Sequence, residues 1–283
     1  MSQIRLVADS ACDLPGELVS EHRLTIVPLT VRFGDEDATG LSPKEFWTKC
    51  RQTSVLPETA APSPGAFAEA FRQLAAEGAD GVVCATLSSK MSATIQSAQA
   101  AAREVEGTIE VRVVDSLSVS LGMGLPVVEG ARMAAAGKTL DEVADAVQSS
   151  AHRMRVFATL DTLDNLKKGG RIGGASAFLG SMLSIKPVIE VADGEVKQES
   201  KQRTRGRALR YLVDKVVDAS KRSQVDQVAV IHGDAPDIDQ FVDQVAAVVP
   251  RERIIIGWVG PVIGAHSGPG VMAVSWEELT ASD

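Results

Sequence analysis

The chain has 283 residues, 45% of them hydrophobic and 23% charged, enough apolar material for two compact domains and too much for a disordered chain. A formal net charge of −8 lacks the basic balance with which general nucleic-acid binders displace counterions from phosphates. Three cysteines (Cys12, Cys50 and Cys84) without CxxC spacing indicate neither a disulfide framework nor a zinc site, and no run is apolar for the length of a bilayer, so the expectation is a cytoplasmic protein without a metal.

Ile4 to Ala8 reads as a buried strand ending at Asp9, and in open α/β sheets ligands bind at such strand tips. Asp9 and Asp13 resemble a metal pair, but no third carboxylate is near, and capping of the turn around Leu14-Pro15 is the simpler role. Leu24 to Phe33 reads as a second strand. Ser42 and Glu45 form a capping box that opens a helix. The segment Thr59-Ala-Ala-Pro-Ser63-Pro64-Gly65 reads as a loop leading into a further helix, with Ser63 at N-cap, Pro64 at the first helical position and Gly78 as the stop.

Gly81 to Thr86 is a strand, Thr94 to Val105 a helix and Ile109 to Asp115 a strand. Between the first two lies Leu87-Ser-Ser-Lys-Met-Ser92-Ala-Thr94, whose hydroxyls and amides fall where a strand gives way to a helix N-terminus, an anion-binding position. The small side chains of Ser97 to Ala102 predict close helix packing. Gly122-Met-Gly124 falls inside a helical pattern and lacks the rest of a nucleotide fingerprint. Thr139 and Glu142 cap another helix. This alternation implies a mainly parallel sheet with helices on both faces over residues 1–153.

Residues 154–283 are patterned differently. Asp193-Gly194 between two strand-like runs is a hairpin signal, and later strands alternate with helices, so a mixed sheet is expected. Gly169-Gly-Arg171-Ile-Gly-Gly174 lacks the Gly-Lys-Ser/Thr ending of a phosphate-binding P-loop. Four glycines and two prolines crowd Gly257 to Pro269 after the apolar run Ile254-Ile-Ile256, which predicts a loop of tight turns holding His266.

Taken together, Asp9-Ser-Ala-Cys-Asp13-Leu-Pro15, Thr59-Ala-Ala-Pro-Ser-Pro-Gly65, Leu87-Ser-Ser-Lys-Met-Ser-Ala-Thr94, Val114-Asp-Ser116, Leu163-Asp-Asn-Leu-Lys-Lys-Gly-Gly-Arg171, Ile185-Lys-Pro187 and Ile263-Gly-Ala-His266-Ser-Gly-Pro-Gly270 stand in family-like order and spacing. In these motifs the chain resembles the DegV family of bacterial fatty-acid-binding proteins from Ile4 to about Val274. It differs at Ala60, where the family often has serine, and at Ala93, where it often has glycine.

The resemblance implies a two-domain α/β fold of the DegV type, with a mainly parallel N-terminal sheet, a mixed C-terminal sheet and the ligand site between them. It implies that Thr59, Ser92 and His266 hold the carboxylate of a long-chain fatty acid and that no cofactor is used. It further implies that Arg171 serves the partner, a separate ATP-dependent fatty acid kinase that converts the carboxylate to an acyl phosphate for phospholipid synthesis. Neutral hydroxyls and one imidazole suit a ligand that must be handed on, since they bind without a fixed salt bridge. Ile95, Phe178, Met182, Leu183 and Ile263 are candidates for lining the tail. Two enzymatic alternatives stand beside the carrier. One is a small-metabolite enzyme of the dihydroxyacetone or phosphosugar type, and the other a serine hydrolase using Ser92, His266 and an acid such as Asp115, although Ser92 lacks the Gly-x-Ser-x-Gly elbow.

Overall fold

A computed structural model describes residues 3–177, 185–222 and 225–279. In the first half, chain order runs β1 (Ile4–Asp9), α1 (Gly16–Glu21), β2 (Thr25–Val27), β3 (Thr30–Phe33), β4 (Glu36–Asp37), α2 (Pro43–Gln52) and β5 (Pro57–Ala60). It continues through α3 (Pro64–Ala76), β6 (Gly81–Thr86), α4 (Thr94–Glu104), β7 (Glu110–Asp115), α5 (Leu121–Ala135) and α6 (Leu140–Arg153). Four strands form a parallel sheet in the order β2-β1-β6-β7. Its strands are nearly continuous apolar runs because helices cover both faces. Val7, Val82 and Cys84 pack on Phe67, Phe71 and Ala98 of α3 and α4, whereas Leu6, Val83 and Ala85 share a core with Met123, Val127 and Val143 of α5 and α6.

The expected single strand from Leu24 to Phe33 is broken at Pro28, which has no N–H to continue a ladder. Thr25–Val27 stays beside β1, and Thr30–Phe33 turns into a separate antiparallel sheet, β4-β3-β5. Thr59 is therefore not in a loop. It lies on β5, paired with Val31. The predicted caps at Ser42, Ser63 and Thr139 all form, each accepting a backbone N–H in the first turn of its helix.

The second half contains β8 (Met154–Thr159), α7 (Asp164–Lys168), β9 (Lys186–Ala192), β10 (Glu195–Gln202), α8 (Arg205–Arg222) and β11 (Val228–His232). After these come α9 (Ile238–Ala246), β12 (Ile254–Trp258), α10 (Pro261–Ser267) and β13 (Met272–Glu277). The strands form one mixed sheet in the order β10-β9-β8-β13-β11-β12, with β11 and β12 parallel and the other described pairs antiparallel. One face packs Phe157, Val230 and Val274 on Leu212 and Val216 of α8 and on Phe241 of α9. Alternate positions point the other way, toward the first half. Among the described residues, no helix is long and apolar enough to cross a membrane.

The glycine-rich stretch is also different from the expected loop. Its middle is the helix α10, with Pro261 in the first turn and His266 near the C-terminal end. Gly268 and Gly270 do turn the chain, at φ 75° and 76°, whereas Gly264 serves close packing. A Cβ on Gly264 would lie 2.6 Å from Phe46 Cε1 and 2.8 Å from Trp47 Cζ2, so α10 rests directly on the aromatic face of α2. Trp47 Nε1 donates to the Val259 carbonyl at 2.8 Å and fixes the approach to the helix. Gly264→Ala should therefore destabilise the fold by about 1–3 kcal/mol through overpacking. Thermal unfolding would show this as a lowered midpoint, and an unchanged midpoint would mean that Phe46 and Trp47 give way freely.

Candidate functional site

A cavity of about 220 Å³ lies between the two halves. One wall is the inward face of the second sheet, where Val156, Ala158, Ile189, Val191, Ile231 and Ala273 come together from four adjacent strands. Cross-strand register makes this wall continuous, with Val156 opposite Val191, Ala158 opposite both Ile189 and Ala273, and Ala273 opposite Ile231. The facing wall comprises Val262 and Ile263 of α10 with Leu29, Leu87 and Val119 from loops of the first half. Among the described residues, every lining residue other than Thr59, Ser92, Ser120, Arg171, His266 and Ser267 is apolar.

The three expected head-group residues all reach this cavity. Thr59 arrives on β5, Ser92 on the segment before α4, and His266 on the last turn of α10. Thr59 Oγ1 and His266 Nε2 are 2.8 Å apart and hydrogen-bonded. Ser92 Oγ shares a hydrogen bond with Thr94 Oγ1 at 2.8 Å and accepts from the Thr94 N–H at 3.3 Å. Burial, helped by the nearby Arg171 guanidinium, pushes the His266 pKa down to about 4, so the imidazole is neutral near pH 7. Its Nδ1 is buried without a hydrogen-bond partner.

Two residues that the sequence reading did not single out hold this histidine. A Cβ on Gly169 would fall 2.3 Å from His266 Nδ1, so only glycine leaves the ring its place. Asn165 Nδ2 donates to the Ala265 carbonyl at 3.1 Å and secures the end of α10. Both belong to the Leu163 to Arg171 motif, the signal by which they could have been found. Arg171 is exposed and lies at the cavity wall, where its Nε donates to Met91 O at 3.1 Å and its Nη1 to Gly169 O at 2.6 Å. It thereby ties the segment before α4 to the turn after α7.

Asp9 and Asp13 serve as structural acceptors. Asp9 accepts from the N–H groups of Ala11 at 2.9 Å and Leu87 at 2.7 Å, and Asp13 from Ser120 Oγ at 2.5 Å and the Gly260 N–H at 3.0 Å. Burial raises both carboxyls to about 7 against the opposing pull of these bonds. No group of side chains suited to a metal occurs among the described residues. Asp115 accepts from Ser89 and Leu117 N–H groups and from neither nitrogen of His266, so no Ser92-His266-Asp115 relay is assembled.

Of the tail candidates, Ile263 lines the cavity and Ile95 does not. Phe178, Met182 and Leu183 lie outside the described residues. The inward row of the second sheet was missed because its members are ordinary apolar residues at alternate strand positions, and only the register shows that they share one wall.

Comparison with known proteins places the whole chain. The family model described as "Uncharacterised protein, DegV family" matches residues 3–279. A DegV domain-containing protein of Streptomyces coelicolor is 36% identical over 276 residues, covering 96% of this chain and 97% of that protein. Among solved structures, a fatty-acid-binding DegV family protein from Thermus thermophilus superposes with a TM-score of 0.88 at 32% identity, covering 98% of this chain and 100% of its own. A stearic-acid-binding protein from Eubacterium ventriosum superposes with a TM-score of 0.86 at 26% identity, covering 98% and 99%. With its α/β architecture shared over 98–99% of the chain and the family model spanning residues 3–279, the chain belongs to the DegV family.

Proposed function

We propose that the cavity binds a long-chain free fatty acid and that the protein presents it to a separate ATP-dependent fatty acid kinase. The observation that carries this reading is the composition of the cavity, a mostly aliphatic enclosure whose few polar lining side chains include the hydrogen-bonded pair Thr59–His266 and Ser92. The tail would lie along the inward row of the second sheet and the head group would meet the cluster. Fatty-acid binding by the Thermus thermophilus and Eubacterium ventriosum relatives supports the same ligand class. We place the boundary between the two domains at Arg153, where α6 passes directly into β8, so that the ligand sits between them. No observation favours a small-metabolite enzyme, whose substrate would need polar groups along a wall that here is aliphatic.

The energetics favour retention of the ligand. Each buried methylene contributes about 0.8 kcal/mol, so roughly fourteen of them supply on the order of 11 kcal/mol before ordering costs are deducted. Protein purified from a bacterial host should therefore carry a long-chain fatty acid that was never added. Denaturing extraction and mass spectrometry would detect near-stoichiometric free acid; empty protein that also ignores added fatty acid would overturn the carrier reading.

Charge linkage gives a second expectation. In the empty cavity His266 titrates at about 4, and a carboxylate beside it favours the imidazolium. The bound state then holds more protons than the empty one at pH values from about 4 up to the raised pKa, so affinity should fall as pH rises through that window. Calorimetry in buffers of different ionisation enthalpy should show proton uptake on binding at mildly acidic pH. His266→Gln should remove the histidine's share and leave only the titration of the ligand; equal uptake in both proteins would mean that His266 stays neutral in the complex.

For the kinase step, Arg171 is the exposed cation at the cavity wall, with Lys167 and Lys168 on α7 nearby in the chain. Arg171→Ala should slow acyl-phosphate formation by the kinase far more than it weakens fatty-acid binding, as read from single-turnover phosphoryl transfer and calorimetry on the same preparation. Equal losses in both would return Arg171 to the role of tying two loops together.

A further inference from the structure

The cavity contains a second polar position, remote from Thr59 and His266. Ser120 lines it and is only 5% exposed. Its backbone stands at φ 55° and ψ −142°, a conformation that glycine adopts freely and residues with a Cβ rarely do. The side chain is fixed from behind. Ser120 Oγ donates to Asp13 Oδ2 at 2.5 Å, the Ser120 N–H donates to Ala11 O at 2.7 Å, and Asp13 is itself left-handed at φ 50°. Two residues of left-handed φ bonded to each other thus hold one serine at the wall of an aliphatic chamber.

The helix α10 sets the spacing. Asp13 Oδ1 accepts the Gly260 N–H at its start, and His266 lies six residues later, roughly 9 Å along the axis at about 1.5 Å per residue. Between these points α10 turns Val262 and Ile263 to the cavity. A plain saturated chain has nothing to offer Ser120 there, and a methylene packed over the hydroxyl leaves its lone pair without a donor.

We infer that Ser120, backed by Asp13, is a subsite for a hydroxyl group carried along the acyl chain, so that the cavity prefers a hydroxylated fatty acid to the plain acid of equal length. This rests on the reading that the carboxylate is held at Thr59, Ser92 and His266. The polarity of the contact selects hydroxyl over carbonyl. With its proton given to Asp13, Ser120 Oγ presents an acceptor, which a hydroxyl can satisfy and a keto oxygen cannot. Burial raises the Asp13 carboxyl to about 7, so measurement at pH 8 keeps it ionised and keeps this direction of donation.

The experiment is calorimetric titration, at pH 8, of delipidated protein with palmitic acid and with a series of hydroxypalmitic acids whose hydroxyl is walked along the chain. Wild-type protein should bind one positional isomer roughly three- to tenfold more tightly than palmitic acid, the worth of one hydrogen bond. The keto acid oxygenated at the same carbon should gain nothing. Ser120→Gly removes the hydroxyl and suits the backbone conformation but leaves Asp13 with the Gly260 N–H alone. Retained palmitic acid binding is therefore the check that the variant is folded, and the preferred isomer should then come level with palmitic acid. Palmitic acid binding with no isomer preferred overturns this inference alone, as does a preference that survives Ser120→Gly. Failure of every acid to bind overturns the carrier reading and this inference with it.

Discussion

The seating of α10 between the two halves is the constraint on which the site depends. Its seven residues are too few for a helix to be stable by propensity, so it exists because both ends and one face are held. Asp13 accepts the Gly260 N–H at the start, Asn165 donates to the Ala265 carbonyl near the end, and Gly264 admits the rings of Phe46 and Trp47 against the middle. Two of these holds come from the first half and one from the second. The helix is thus a shared part of both, and the orientation of His266 reports how the halves are joined.

Electrostatics around His266 follow from that seating. Carrying His266 into the protein removes it from water, and Arg171 adds unfavourable charge, so the imidazole gives up its proton. The one guanidinium at the wall is already committed to the carbonyls of Met91 and Gly169. Those acceptors are neutral and the guanidinium keeps its charge, so a carboxylate in this region would meet neutral donors beside one positive group. For the fatty acid proposed above, burial of the tail would supply most of the affinity and this polar group the orientation.

Much of the fold could be read from the sequence because the informative residues act locally. Ser42 with Glu45 and Thr139 with Glu142 mark helix starts through bonds within a single turn, and Asp193-Gly194 marks a hairpin through its own backbone, with Asp193 at φ 53° and Gly194 at φ 82°. Reading failed where the deciding partner is distant in sequence. Gly264 looks like a turn residue until Phe46 and Trp47 are seen to need the space, and Gly169 matters only because a histidine 97 positions later occupies the volume a side chain would take. Thr59 was placed in a loop because Pro57–Ala60 is too short to show alternation, and pairing with β3 makes it a strand. Thr59, Ser92 and His266 are head-group candidates through motif resemblance alone, whereas the aliphatic wall needed strand register.

The buried acids of the first strand tip connect these observations to stability. Asp9 and Asp13 titrate at about 7 when folded against 3.8 when free, so the folded chain holds more protons than the unfolded one between these values, and their contribution to stability falls as pH rises through that window. His266 acts in the opposite sense. Its folded pKa of about 4 lies below the free value of 6.5, so the unfolded chain holds the extra proton there and stability from this residue grows as pH rises. At neutral pH and above, the fold therefore bears the cost of two desolvated carboxylates, each held in place by a pair of donors. The donors identify what that cost maintains. Leu87 begins the segment that carries Ser92, Ser120 lines the cavity and Gly260 begins the helix that carries His266, so the two acids fix three parts of the cavity wall from a single strand tip.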